Sequence, residues 1–406
     1  MAMKQTQTKL FDFSDVGLDF CAGSKNLFPD RFKKMLALGY NEQTVSSVAV
    51  AGNQVTLTYG GTHGYVADRV LKVSAPEILG INGGEFVIDS VTANTVTMTI
   101  DGAPASIAGN FTTKVASLGW DLVYELNHIQ IYKFKHIDDT DMYARLCFQN
   151  ATTSGNRNCM AVGIGRTVDL NLGHITDPNC LQDLATCATV AEATSNIRWD
   201  FSESTAATFN NYTYSQGYST FGNGLVVGSK YHIVFSYNIM SGSAGGNRAA
   251  VGVVPAMTLN YDVLKYPVLF AQNNGASTTT AQSQTRSFAA LIGVYPVRVD
   301  VATSSGNEVY SPQANSSFLP NTVDVFNTTV ARPIQLFHKG TNQFLGCLIG
   351  GVFTSGFSAN SGETPSMAQN QSPSIVMDID FSNRVVLHGF GALWVAIPVE
   401  VIKIEH

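Results

Sequence analysis

The chain has 406 residues, of which 24 are Lys or Arg and 30 are Asp or Glu. Charged residues make up 13% of it, against about 25% in ordinary soluble domains, while the hydrophobic share is a normal 45%. That combination excludes high-charge disorder, and a net charge of −6 excludes a broad basic grip on nucleic acid.

Residues 1–43 differ from the rest. Leu10, Phe11, Phe13, Leu18 and Phe20 make an amphiphilic start with no apolar leader core, which predicts no secretory signal. A short helix is predicted from Pro29 and Asp30 to a stop at Gly39, with Phe32, Met35 and Leu36 on one face.

Residues 44–117 read as a small β-barrel-like module. Val55-Thr-Leu-Thr-Tyr59 alternates with period two, and further strands are predicted at 69–73, 85–88 and 95–100. Asn82-Gly-Gly84 and Asp101-Gly102 border them and tolerate the positive φ that tight turns need.

Residues 118–406 read as a β-sandwich or jelly-roll-like main domain, with a division near 200–220. Strands are expected at 128–135, 142–148, 160–164, 224–227, 231–237 and 249–254. Later ones are expected at 289–294, 297–301, 334–337, 344–349, 374–379, 385–387 and 393–398. A second helix is placed within 180–194. No run of about 18 or more apolar residues occurs, so no helical membrane span is expected. Cys21, Cys147, Cys159, Cys180, Cys187 and Cys347 form no CxxC pair, which reads as six reduced thiols in a chain made in a cytosol.

Few residues look chemical. His136-Ile-Asp138-Asp139-Thr-Asp141 gathers three carboxylates and an imidazole, a set able to hold a hard cation such as Ca²⁺. The spacing lacks the EF-hand glycine and terminal glutamate, and Asp favours turns, so a polar turn between two strands is the preferred reading. Asp200 and Glu203 beside Trp199 could form a carboxylate pair with a sugar platform, with a surface loop as the plainer alternative. His128, His232 and His388 sit in or beside apolar runs and read as core or interface histidines. The run from Gly222 to Gly228 lacks the Lys-Ser/Thr of a phosphate loop. No catalytic motif and no cofactor motif stands out, so no enzyme activity and no cofactor are expected.

Two stretches carry a resemblance. Residues 45–116, through Val55-Thr-Leu-Thr, His63-Gly-Tyr65, Asp68-Arg-Val70 and Asn82-Gly-Gly-Glu-Phe-Val87, resemble a small β-module inserted in tail proteins of tailed bacteriophages. Residues 131–150, with Ile137-Asp-Asp-Thr-Asp-Met-Tyr-Ala-Arg145, are similar to a segment of phage virion proteins with an Asp-Asp turn before a strand and an Arg within it.

The resemblance implies a virion structural protein, of tail or baseplate type, made in the host bacterial cytoplasm. Its expected partners are other virion proteins and further copies of itself, with no nucleic acid. Leu10, Phe11, Phe13, Leu18 and Phe20 would then be assembly contacts on a strap that orders on docking. The alternatives are a protein that binds or cleaves host-surface glycan, and a head-decoration protein.

Overall fold

The computed structural model describes residues 8–78, 80–149, 158–194, 197–202, 211–238, 248–273, 289–300, 331–355, 374–377, 384–390 and 393–399. The chain is mainly β, with antiparallel sheets and a few short helices, as the sequence pattern predicts.

The predicted helix forms as an α-helix over Phe28–Lys33 that continues as a wider turn over Lys34–Leu38. Pro29 sits in its first turn, where a missing N–H costs nothing. Phe32, Met35 and Leu36 are all buried. The Gly39 N–H returns to the Lys34 carbonyl at 2.8 Å and ends the helix. Gly39 has φ 75°, and a β-carbon there would stand 2.3 Å from the Val115 oxygen, so glycine alone fits.

The following segment builds one seven-stranded sheet. Its spatial order is Glu85–Val87, Val70–Ser74, Phe111–Val115, Tyr40–Ala51, Gln54–Tyr59, Thr95–Thr99 and Ser90–Val91. The first and last strands of that order are separated in sequence only by Ile88 and Asp89. One bent stretch therefore serves both edges, and the sheet closes on itself as a small barrel. The Ile88 N–H bonds the Arg69 carbonyl on one side, and the Asp89 N–H bonds the Thr97 carbonyl on the other. The His-Gly-Tyr turn lines one end of the interior. His63 Nδ1 accepts the Tyr65 N–H at 2.9 Å, and the Tyr65 hydroxyl lies 2.8 Å from the carbonyls of both Asn41 and Thr113. The residues that carry the resemblance are thus turn and core residues here.

Two other sheets form a sandwich. A five-stranded sheet runs Trp199–Ser202, Asn158–Gly165, Asp141–Phe148, Ile129–Lys135 and Asp121–Leu126. A ten-stranded sheet runs Lys9–Asp12, Gly224–Ser229, His232–Asn238, Arg248–Val254, Val268–Asn273, Ala289–Ile292, Tyr295–Asp300, Gln335–His338, Phe344–Leu348 and Ala256–Thr258. Aromatic rings join the two. Phe201 stacks on Tyr237 at 4.6 Å and meets Phe235 edge-on at 5.4 Å, while Phe32 bridges Phe148 at 5.4 Å and Phe235 at 5.1 Å. Such pairs add about 0.5–1.5 kcal/mol each beyond their burial. A further sheet orders Ala331–Pro333, Phe353–Ser355, Leu393–Val399, Arg384–Phe390 and Ser374–Met377.

Between Gly165 and Trp199 the chain leaves the sheets, forming the small ladder Val168–Asp169 with His174–Ile175, a short helix Gln182–Thr186 and a single turn Val190–Glu192. The helix expected within 180–194 is therefore two short pieces. A helix over Tyr214–Phe221 was not anticipated. Its sequence signal is Thr213 followed by Gln216, whose side chain accepts the Thr213 N–H at 2.9 Å.

Candidate functional site

The residues expected to dock on other subunits lie inside this chain. Leu10, Phe11, Phe13, Leu18 and Phe20 are each no more than 1% exposed. Strand Lys9–Asp12 pairs with Gly224–Ser229, placing Leu10 opposite Val227 and Phe11 opposite Val226. Phe13 packs on Phe20 at 4.3 Å, and Phe20 reaches Phe28 at 5.1 Å and Phe201 at 5.7 Å. Burying an apolar side chain of this size is worth about 1.5–3 kcal/mol. The segment therefore completes its own sandwich here, with the five side chains expected as assembly contacts packed inside the chain rather than offered at its surface.

A buried polar cluster ties this segment to the barrel. Asp15 Oδ2 accepts bonds from Arg69 Nε at 2.8 Å, the Tyr40 hydroxyl at 2.8 Å and the Asp12 N–H at 3.0 Å, while Oδ1 takes Arg69 Nη2 at 3.0 Å. Burial works against the Arg69 charge, but the Asp15 carboxylate outweighs it and holds the guanidinium more basic than usual. Burial, with Asp15 adding to it, raises the Tyr40 hydroxyl well above its ordinary range. The carboxylate, the hydroxyl and the guanidinium are bonded to one another in the interior, so the cluster reads as a structural joint.

The acidic loop is a polar turn in which each carboxylate answers a different partner. Asp138 accepts the Thr140 N–H at 3.0 Å and its hydroxyl at 2.6 Å. Asp139, in the left-handed region at φ 60°, accepts the Tyr231 hydroxyl at 3.0 Å and lies 3.4 Å from Lys230 Nζ. Asp141 pairs with Lys135 at 2.7 Å and Lys133 at 3.2 Å. Hydrogen bonds and these lysines hold Asp139 and Asp141 below the usual carboxylate range. The three point apart, and among the described residues no group of three or more His, Cys, Asp or Glu side chains is arranged to hold a metal. The loop fastens the Ile129–Lys135 and Asp141–Phe148 hairpin to the Ser229–Tyr231 turn.

Trp199 is 2% exposed and Asp200 6%, so neither is offered to a sugar at the surface. Glu203 lies outside the described residues. His128 Nε2 sits 2.6 Å from the Ala188 oxygen. His232 is fully buried, its Nδ1 meets the Ser229 hydroxyl at 2.8 Å, and its Nε2 has no partner among the described residues. Burial alone lowers its pKa to about 3. His388 occupies strand Arg384–Phe390 opposite Val395. A small cavity among Val268, Phe270, Val299, Ile334, Leu348 and Val352 is walled by apolar side chains and offers nothing to orient a polar ligand.

The feature that sequence reading missed is on the surface. Among the described residues, strand Ala256–Thr258 is the last of the ten-stranded sheet and pairs on one side only, with Phe344–Leu348. From it, Met257, Leu259, Tyr261 and Val263 are all exposed, Met257 at 60% and Tyr261 at 63%, with Phe344 exposed next to them at 48%. The alternation of apolar residues at 257, 259, 261 and 263 was the available signal. Only Met257 of the four lies in the strand, and Val263 sits in the single turn Asp262–Leu264, so the spacing alone did not place them.

No protein-family model matches the chain, and no curated protein matches it. Among solved structures, "Phage phi92 endosialidase" is similar at a TM-score of 0.16 and 12% identity, over 85% of this chain. The chain spans 56% of the length of that protein. A likeness of this size fixes neither fold family nor activity, so function rests on the chain's own features.

Proposed function

We propose that this chain is a structural component of a tailed-phage virion, in the tail or baseplate, and that its work is subunit assembly rather than catalysis. The observation that carries the reading is a set of exposed apolar side chains: Met257 on an edge strand of the described sheet, Leu259, Tyr261 and Val263 in the segment after it, and Phe344 on the neighbouring strand. Contiguous exposed apolar side chains on one patch mark interaction sites, and an unpaired edge strand invites a neighbour to continue the sheet. The occupant is a second copy of this chain.

Three further features support it. The charge fraction of 13% is low for a protein whose whole surface faces water. The segment that resembles a phage tail module folds as a self-closed barrel, as such an inserted unit requires. The sugar-site candidate weighed from sequence has its tryptophan and aspartate in the interior, which counts against a sugar platform at that place.

Mass spectrometry of purified particles, with a reconstruction of their density, tests the proposal. The expected result is this chain at a fixed copy number in tail or baseplate density, with barrels projecting from a continuous ring. Particles that lack the chain would sink the reading. Density on the head would replace it with the head-decoration alternative.

A further inference from the structure

Strand His232–Asn238 of the ten-stranded sheet has two faces that are built differently. Phe235 and Tyr237 point toward the five-stranded sheet. There Phe235 meets Phe201 and Trp199, and the Tyr237 hydroxyl donates to the Asp200 carbonyl at 2.5 Å. Trp199 Nε1 lacks a partner on that side, but the rings around it interlock. His232, Val234, Ser236 and Asn238 alternate with the aromatic residues and share the opposite face. Three of these four carry a buried polar atom with no partner among the described residues: His232 Nε2, Ser236 Oγ and Asn238 Oδ1. A buried donor or acceptor of this kind has given up its bonds to water and gained none.

The C-terminal sheet lies on this second side. Its strand Leu393–Val399 packs beside Gly224–Ser229, and Arg384–Phe390 packs beside Arg248–Val254, the two strands that flank His232–Asn238. Val395 and Ile397 are fully buried. Two bends join the layers. One is at Ile334, between Ala331–Pro333 and Gln335–His338, and the other is at 349–352, between Phe344–Leu348 and Phe353–Ser355. Gly351 in the second bend has φ 79°, and a β-carbon there would stand 2.9 Å from His232 Cδ2. The apolar cavity described above is lined by Ile334 and Val352, so the corner where the layers meet is not filled.

Opposed terms therefore act on this contact. Burial of Val234, Val395 and Ile397 holds the layers together. The unpartnered polar atoms and the unfilled corner work against closure. We propose that the C-terminal sheet is a hinged cover, which turns at Ile334 and at 349–352 and lifts as one layer from the face that carries His232, Ser236 and Asn238. Lifting keeps the hydrogen bonds within each sheet and gives the three polar atoms access to water. A few element-terminal residues are enough to absorb such a rotation.

The test puts a thiol on each side of the contact in the full-length chain, Val234→Cys in one variant and Val395→Cys in another. Labelling by a maleimide is followed by peptide mass. Both new thiols are expected to label at least about tenfold faster than Cys159 of the five-stranded sheet, which is 3% exposed. Adding Ser236→Ala removes one unpartnered atom and is expected to slow both several-fold, with Cys159 unchanged. Should Val234→Cys fail to fold, Val395→Cys against Cys159 decides. Labelling as slow as that of Cys159, or a rate that Ser236→Ala leaves unaltered, would overturn the proposal.

Discussion

Arg69 reaches out of the small barrel and grips Asp15 with two parallel bonds, 2.8 Å from Nε and 3.0 Å from Nη2, where both side chains are almost wholly buried. The pair joins the N-terminal segment to the barrel at a point that water does not reach. Removing one partner strands the other's charge. Asp15→Ala is expected to cost about 3–5 kcal/mol, because it leaves the guanidinium in the interior without an anion. The double replacement Asp15→Leu with Arg69→Met is expected to cost less than Asp15→Leu alone. Urea denaturation of the four proteins of that cycle measures the coupling; equal, additive losses would show that the pair is not the joint.

His232 makes stability depend on acid. Its folded pKa of about 3 lies below the unfolded value near 6.5, so between those values the unfolded chain binds a proton that the folded chain refuses. Stability from this residue is fully present above about pH 6.5 and falls as pH drops, by up to about 1.4 kcal/mol per pH unit. His136, whose pKa burial also lowers, acts with the same sign. Replacement by a non-titrating side chain, His232→Gln, is expected to flatten the loss between pH 6.5 and pH 4, as read by denaturant midpoints at each pH. A wild-type curve no steeper than the variant's would contradict the assignment.

Gly217 sets two known effects against each other. It lies in helix Tyr214–Phe221, where Ala would favour the helix by about 1 kcal/mol. A β-carbon there would stand 2.0 Å from Cys21 Sγ, in the buried seam where this helix meets the N-terminal segment. Overpacking of that kind costs about 1–3 kcal/mol and should win. Gly217→Ala is therefore expected to lower the melting temperature, and adding Cys21→Ala should recover part of the loss. A melting temperature that rises on Gly217→Ala would mean the helix can move away from Cys21.

Much of this fold was legible in the chain because the signals are local. Val55, Leu57 and Tyr59 alternate and do point inward, and Phe32, Met35 and Leu36 do share the buried helix face. What failed was what depends on distant partners. The apolar pattern from Leu10 to Phe20 says that something must cover it, and nothing in those residues tells a neighbouring subunit from the strand Gly224–Ser229. Arg145 was legible only as an arginine within a strand, and nothing in the neighbouring residues says which way it faces. It is buried because three carbonyls from a later excursion converge on it. Trp199 and Asp200 read as a loop for the same reason, since only the partner strand Asn158–Gly165 makes them interior. The candidate sites were acids and aromatics picked for their chemistry, and the structure spends most of them on holding itself together.

The apolar row at the sheet edge is the surface on which the assembly reading stands or falls. Met257 and Tyr261 lie on an edge strand and the turn after it, and most of each side chain is in water. Replacing both with glutamate removes no core contact, so the fold should change by no more than about 0.5 kcal/mol, the usual range for surface substitutions. At an interface the same charges would be desolvated without partners and would repel their copies across a symmetric contact. The double variant Met257→Glu, Tyr261→Glu is thus expected to keep the wild-type melting temperature while its assembled species dissociate by at least about tenfold more, for a cost of about 1.4 kcal/mol or above per contact. Light scattering behind a sizing column, with thermal melting alongside, reads both quantities. Unchanged assembly at unchanged stability would take this row out of the interface, and the low surface charge would then need another explanation.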